Sequence, residues 1–112
     1  MLKINSIGDV TEVRFENIHK INILETDAIK SSLLKLFEKP NAKVLINMEG
    51  VHFLDSSGFA TFLSVLKSAG KNNGQIIFCN LTSSALDLFK VLQLHTVFNF
   101  IQNQDEAIQS FK

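Results

Sequence analysis

Residues Phe53 to Leu63 read FLDSSGFATFL, so a carboxylate, two hydroxyls and a glycine stand between two apolar runs. Three kinds of chemistry fit Asp55-Ser56-Ser57-Gly58. Asp and Ser side chains accept hydrogen bonds from the free amides that open a helix, so the group reads first as an N-cap. Gly58 sits badly with that alone. A glycine in the first turn costs about 0.5–1 kcal/mol relative to alanine, which points to something that needs a bare backbone there. The second reading, a nucleophilic serine, asks for a G-x-S-x-G elbow and a base within hydrogen-bond reach. Leu54-Asp55-Ser56 is not such an elbow, and His19, His52 and His95 show no spacing typical of a triad or a metal site.

The third reading is a hydroxyl that receives phosphate. A helix N-terminus offers free N–H groups and the positive end of the helix dipole, so the fold tolerates an anion there. A docked protein does not. Phosphate adds about −1.5 to −2 charge at neutral pH. Each unit of that charge facing a carboxylate ~5 Å away costs about 3 kcal/mol at an effective dielectric of ~20. That is more than two decades in dissociation constant, so one serine here can govern binding and leave the fold alone.

The elements that must position this group are legible around it. Apolar residues at Leu2, Ile4, Val10 (or Val13) and Phe15 flank Gly8-Asp9 and predict a hairpin. Asn22 with Glu25 three residues on reads as a capping box. Ile29, Leu33, Leu36 and Phe37 then line one helix face, and Pro40 stops it. KVLINME (Lys43 to Glu49) and QIIFCN have the continuous apolar centres of strands covered on both faces. From Ser56 to about Lys71, Phe59, Phe62, Leu63, Leu66 and Ala69 keep helical spacing. TSSALDLFKVLQL predicts a helix with Ala85, Leu88, Phe89 and Leu92 inward, TVFNFI a short strand, and DEAIQSF a last helix presenting Ala107, Ile108 and Phe111.

The order β-β-α-β-α-β-α-β-α predicts one α/β domain over residues 1–112. Its sheet is mixed and mainly parallel, with helices packed on it and an N-terminal β-hairpin opening it. Ser56 then falls at the carboxyl edge of the Lys43–Glu49 strand, where sites in open α/β sheets gather.

Composition narrows the function. Eleven basic and eleven acidic residues cancel, and no window clusters Lys or Arg with aromatics, which argues against a nucleic-acid surface. Ten Phe with no Trp or Tyr suit a packed interior. Cys79 is alone, in a strand, and reads as an inert buried thiol. The chain lacks a Gly-rich phosphate loop, an apolar run of spanning length and a secretory h-region. The expectation is a cytoplasmic protein, not a membrane one, with no metal or cofactor.

The stretch VLINMEGVHFLDSSGFATFLSVLKSAGKNNGQIIFCNLTSSALDLFKVLQLHTVFNF resembles the STAS domain of bacterial anti-sigma factor antagonists. The likeness lies in the FLDSSG segment between a buried strand and a helix, the Gly-bounded turn, QIIFCN, and ALDLFKVLQLHTVF. It implies a STAS fold and a binding protein rather than an enzyme. In that family the first serine after the aspartate, here Ser56, is phosphorylated by an anti-sigma factor that is also a GHKL-type serine kinase. The unphosphorylated form binds that kinase and frees the sigma factor, and a PP2C-type phosphatase restores it.

The resemblance gives Asp55 the task of orienting the Ser56 hydroxyl and capping the helix, Ser57 that of supporting the turn, and Gly58 that of admitting a partner's backbone. Phe59 is either an exposed anchor beside the switch or, by its spacing with Phe62 and Leu63, plain core. The chain departs from the family where a Gly-x-Leu-Asp sequence precedes the first helix: it has HKIN, with a neutral Asn22 in the aspartate's position. Ala60 replaces a frequent glycine. Competing readings are a STAS domain acting as an unphosphorylated assembly subunit of a signalling or lipid-transport complex, then a small-molecule or nucleotide-binding module, with an enzyme last. Homo-oligomerisation is left open.

Overall fold

The computed structural model describes residues 1–112. Strands β1 (Leu2–Ile7) and β2 (Val10–Phe15) form the expected hairpin. Gly8 takes φ +61°, the left-handed value that a two-residue hairpin turn demands at its first central position. After β3 (Lys20–Ile21) come α1 (Ile23–Leu36), β4 (Lys43–Asn47), β5 (Phe53–Leu54), α2 (Ser56–Lys71), β6 (Gln75–Cys79), α3 (Ser83–Val91), β7 (Asn99–Phe100) and α4 (Gln104–Gln109).

The main sheet runs β1-β2-β4-β6-β7, antiparallel at the hairpin and parallel elsewhere. This is the mixed, mainly parallel sheet predicted from element order. Alternate strand residues point to opposite faces. Val13, Phe15, Val44, Ile46, Ile76 and Phe78 meet the buried stripes of α1, α2 and α3 in the larger core. Val10, Leu45, Ile77 and Cys79 face the other way and meet Ala107 of α4, with Ile108 and Phe111 at the margin. The apolar C-terminal segment therefore packs on its own sheet. Polar bonds help hold it: the buried Glu12 carboxylate accepts from Gln104 Nε2 at 2.7 Å and Asn47 Nδ2 at 3.2 Å, and pairs with Arg14 Nε at 3.2 Å.

The phenylalanines make the centre. Phe78 on β6 lies 5.2 Å from Phe62, 5.2 Å from Phe98 and 5.5 Å from Phe100, ring centre to ring centre, and Phe89 lies 5.8 Å away. The pairs with Phe62 and Phe98 are edge-to-face, the arrangement that the ring quadrupole favours, and those with Phe89 and Phe100 are tilted.

Three expectations are corrected. The predicted strand TVFNFI shrinks to Asn99–Phe100, because Leu94–Thr96 turns as a 3-10 segment and β7 finds partners only at Ile77 and Phe78. Leu92 is exposed rather than inward: α3 ends at Val91, and Gln93 enters the left-handed region at φ 58°. Leu63 keeps helical spacing yet lies at the solvent margin, while Val65, one residue after Ser64, takes the fully buried place. Beyond these, β3 and β5 form a separate two-stranded parallel sheet that periodicity did not announce.

Burial pushes the Cys79 thiol up to about 11. At pH 8 its thiolate fraction is then only ~10⁻³, so maleimide should label the protein only as it unfolds. Phe78→Ala should lower stability by about 3–5 kcal/mol in urea titration, since the cavity opens where four other rings converge.

Candidate functional site

Two helix N-termini come together at the carboxyl edge of the strands. The parallel pair β3–β5 sets Lys20 beside Phe53 and Ile21 beside Leu54. The next residue on each chain segment, Asn22 and Asp55, is the N-cap of α1 and of α2. A hydrogen bond from the Asp55 amide to the Ile21 carbonyl, 3.1 Å, ties one junction to the other.

Each cap is made locally. Asn22 Oδ1 accepts from the Leu24 amide at 2.9 Å, and Glu25 Oε2 accepts from the Asn22 amide at 3.2 Å. The capping box read from sequence is thus present. Asp55 Oδ1 accepts from the Gly58 amide at 3.0 Å and from the Ser57 hydroxyl at 2.5 Å. The Ser57 hydroxyl, then the Gly58 amide, hold the Asp55 carboxyl below its ordinary range, and the Ile23 amide across the junction adds to this. The expectation that Asp55 orients Ser56 is corrected here: its carboxylate takes the hydroxyl of Ser57.

Ser56 is left free. It is the first residue of α2, exposed, and its hydroxyl makes no hydrogen bond within the protein. His52 is exposed and bonded to neither serine, while His19 Nδ1 sits 3.1 Å from the Gly50 carbonyl. Residues 55–60 line neither of the two surface hollows, of about 490 and 230 Å³. Whatever reaches Ser56 therefore meets two helix ends, not a cleft.

Gly58 takes a role different from the one the resemblance implied, and for Phe59 the structure decides between the two readings. A β-carbon at position 58 would lie 3.0 Å from the Ile21 carbonyl oxygen, 3.2 Å from Ile21 Cγ2 and 3.3 Å from Leu54 Cβ. The bare backbone is needed by the chain's own β3, not by a visiting partner. Phe59 is 5% exposed and packs edge-on to Phe89 at 4.9 Å, so it is core and not a surface anchor. Lys67 and Lys71 lie on the solvated side of α2.

Sequence reasoning missed Ile21, whose carbonyl fits against Gly58, and the apolar pair Ile23 and Leu24, both solvent-exposed in the first turn of α1. A signal for the pair existed. Stepping back from Ile29 by helical intervals reaches Thr26 and Asn22, so Ile23 and Leu24 fall off the inward stripe.

The STAS domain family model matches residues 3–107. An anti-sigma-factor antagonist (STAS) domain protein from Planctomyces limnophilus superposes with a TM-score of 0.87 at 20% identity, over 99% of this chain and 97% of that one. The Bacillus cell fate determinant SpoIIAA in its phosphorylated form gives 0.72 at 16% identity, with both chains fully covered. BtrV of Bordetella bronchiseptica, whose name assigns it provisionally to the anti-sigma factor antagonists, is 18% identical over 92 residues, 82% of this chain and 79% of its own. At these identities the structural likeness is one of fold.

The Asp55 geometry makes a pH prediction. A depressed carboxyl pKa stabilises the fold above the ordinary value near 3.8, and that contribution is lost as pH falls through the lower folded value. Ser57→Ala should move the Asp55 titration back up, as read by carboxyl NMR. Asn22→Asp should raise it too, by placing a like charge at the adjacent cap.

Proposed function

The chain belongs to the STAS domain family, and on that premise we propose that it is an anti-sigma factor antagonist whose binding is switched by phosphorylation of Ser56. Unphosphorylated, it binds an anti-sigma factor with GHKL-type serine kinase activity in the cytoplasm and so releases a sigma factor. Phosphorylated, it lets the kinase go, and a PP2C-type phosphatase resets it. The protein is a substrate and partner in this cycle and catalyses no step of it.

The observation that carries the reading is the exposed Ser56 hydroxyl, without a protein partner, on the first turn of a sixteen-residue helix. An N-terminal hydroxyl that did nothing but cap would accept from a helix amide, and here Asp55 already does that. A phosphate on Ser56 would meet the positive ends of α1 and α2 together, so the fold bears the charge that a docked protein would not. The neutral Asn22 adds no carboxylate beside it. SpoIIAA, similar in fold, exists in a phosphorylated form. In the transfer the Ser56 Oγ–P bond forms as the γ-phosphorus of ATP parts from its bridging oxygen. ADP leaves, and the hydroxyl proton passes to a base of the kinase.

The test is phosphoryl transfer from ATP by GHKL-type serine kinases of the same genome, each purified and mixed with this protein, with the site read by mass spectrometry. One phosphate on Ser56, absent from Ser56→Ala, is the expected result. Ser56→Asp should weaken binding to that kinase by about a hundredfold or more and leave the thermal midpoint nearly unchanged. Transfer from none of the kinases would turn the reading to that of an unphosphorylated assembly subunit.

A further inference from the structure

Four of the exposed large apolar side chains lie on the elements that converge at Ser56. Ile23 is 69% exposed and Leu24 84% exposed on the first turn of α1, Phe53 is 44% exposed on β5, and Leu63 is 38% exposed on α2. Ser56, Ala60 and Leu63 fall at i, i+4 and i+7, a single solvent-facing stripe of α2. The β3–β5 pairing sets the strand residues that lead into α1 and α2 side by side, about one strand spacing, ~4.8 Å, apart, so the two first turns start as neighbours. Ile23 and Leu24 do nothing for the interior, and a helix start offers many polar residues that would serve as well.

Size decides what covers them. Packed helices lie ~8–10 Å apart, whereas a standard interface covers about 800 Å² on each partner. A protein that seats ATP against Ser56 Oγ must therefore also close over the neighbouring turn. We propose that Ile23 and Leu24, flanked by Phe53 and Leu63, are the apolar anchor by which the kinase partner holds this protein, in an apolar cleft beside its own active site. This rests on the switch reading above. Affinity then comes from the apolar shoulder, and Ser56 supplies the control: phosphate enters the footprint of an interface that the aliphatic side chains hold together.

The experiment uses the full chain and the individually purified GHKL-type kinases of the same genome, with binding followed by surface plasmon resonance and phosphorylation by mass spectrometry. The variants are Ile23→Ala/Leu24→Ala and, as a control, Val91→Ala, a comparably exposed aliphatic at the C-terminal end of α3, outside α1, α2 and β5. Both sites are on the surface, so thermal midpoints should match the parent, and circular dichroism checks this. The expected result is a kinase that binds and phosphorylates the parent, with the double variant at least about tenfold weaker and Val91→Ala unchanged. Equal binding by parent and double variant, with Ser56 still phosphorylated, overturns the anchor and leaves the switch standing. Equal weakening by Val91→Ala also overturns it, since the effect is then general stickiness. A parent that neither binds nor accepts phosphate from any of the kinases removes the switch and the anchor together.

Discussion

A parallel ladder only two residues long, Lys20–Ile21 against Phe53–Leu54, sets the relation between the helices that form the candidate site. It works because position 58 has no side chain. The Ile21 carbonyl can receive the Asp55 amide at 3.1 Å only if α2 comes close enough for its third residue to touch the same carbonyl. Any β-carbon there would press on backbone, which does not yield as a flexible side chain would. From this contact follow the shared edge of the two N-caps, the nearness of Ile23 to the Asp55 carboxylate and the outward aim of Ser56.

Work is divided among the four residues of the motif by reach. Asp55 is engaged through Oδ1, which serves the Gly58 amide and the Ser57 hydroxyl. Ser57, thus engaged, keeps that carboxylate ionised and in place. Gly58 admits β3. What remains outward is Ser56 alone, and the two adjacent serines, alike in composition, differ because one has its hydroxyl spoken for. The opposite face of the sheet follows another logic. There a six-residue helix covers a small apolar strip and is tied down through Glu12, Gln104 and Arg14, on the face of the sheet opposite α1, α2 and α3.

Much of this was legible in the residues, and the pattern of misses is physical. The hairpin, the helix caps at Asn22 and Asp55 and the two buried strands are local features, written in turn residues and in spacing over a few positions. The ladder of β3 and β5 was not, because two residues carry no period and their pairing joins positions more than thirty apart. Leu63 and Leu92 had the right spacing for burial, but tertiary packing decided which edge of the stripe faced the core and where α3 stopped. Phe59 stood open between core and surface until the ring of Phe89 was placed beside it. At the site, residue types identified Ser56, Asp55 and Asn22 as neighbours in kind, whereas which serine the carboxylate would hold depends on side-chain direction, which spacing does not encode.

The unengaged hydroxyl of Ser56 has an evolutionary consequence. Since nothing inside the protein leans on that oxygen, a single codon change can remove it, or replace it with a permanent carboxylate, and leave the domain intact. If Ser56 is the switch proposed above, control and architecture are inherited separately. A lineage can silence the response, or lock it in one state, without passing through an unfolded intermediate, whereas a change at Gly58 would put the architecture itself at stake.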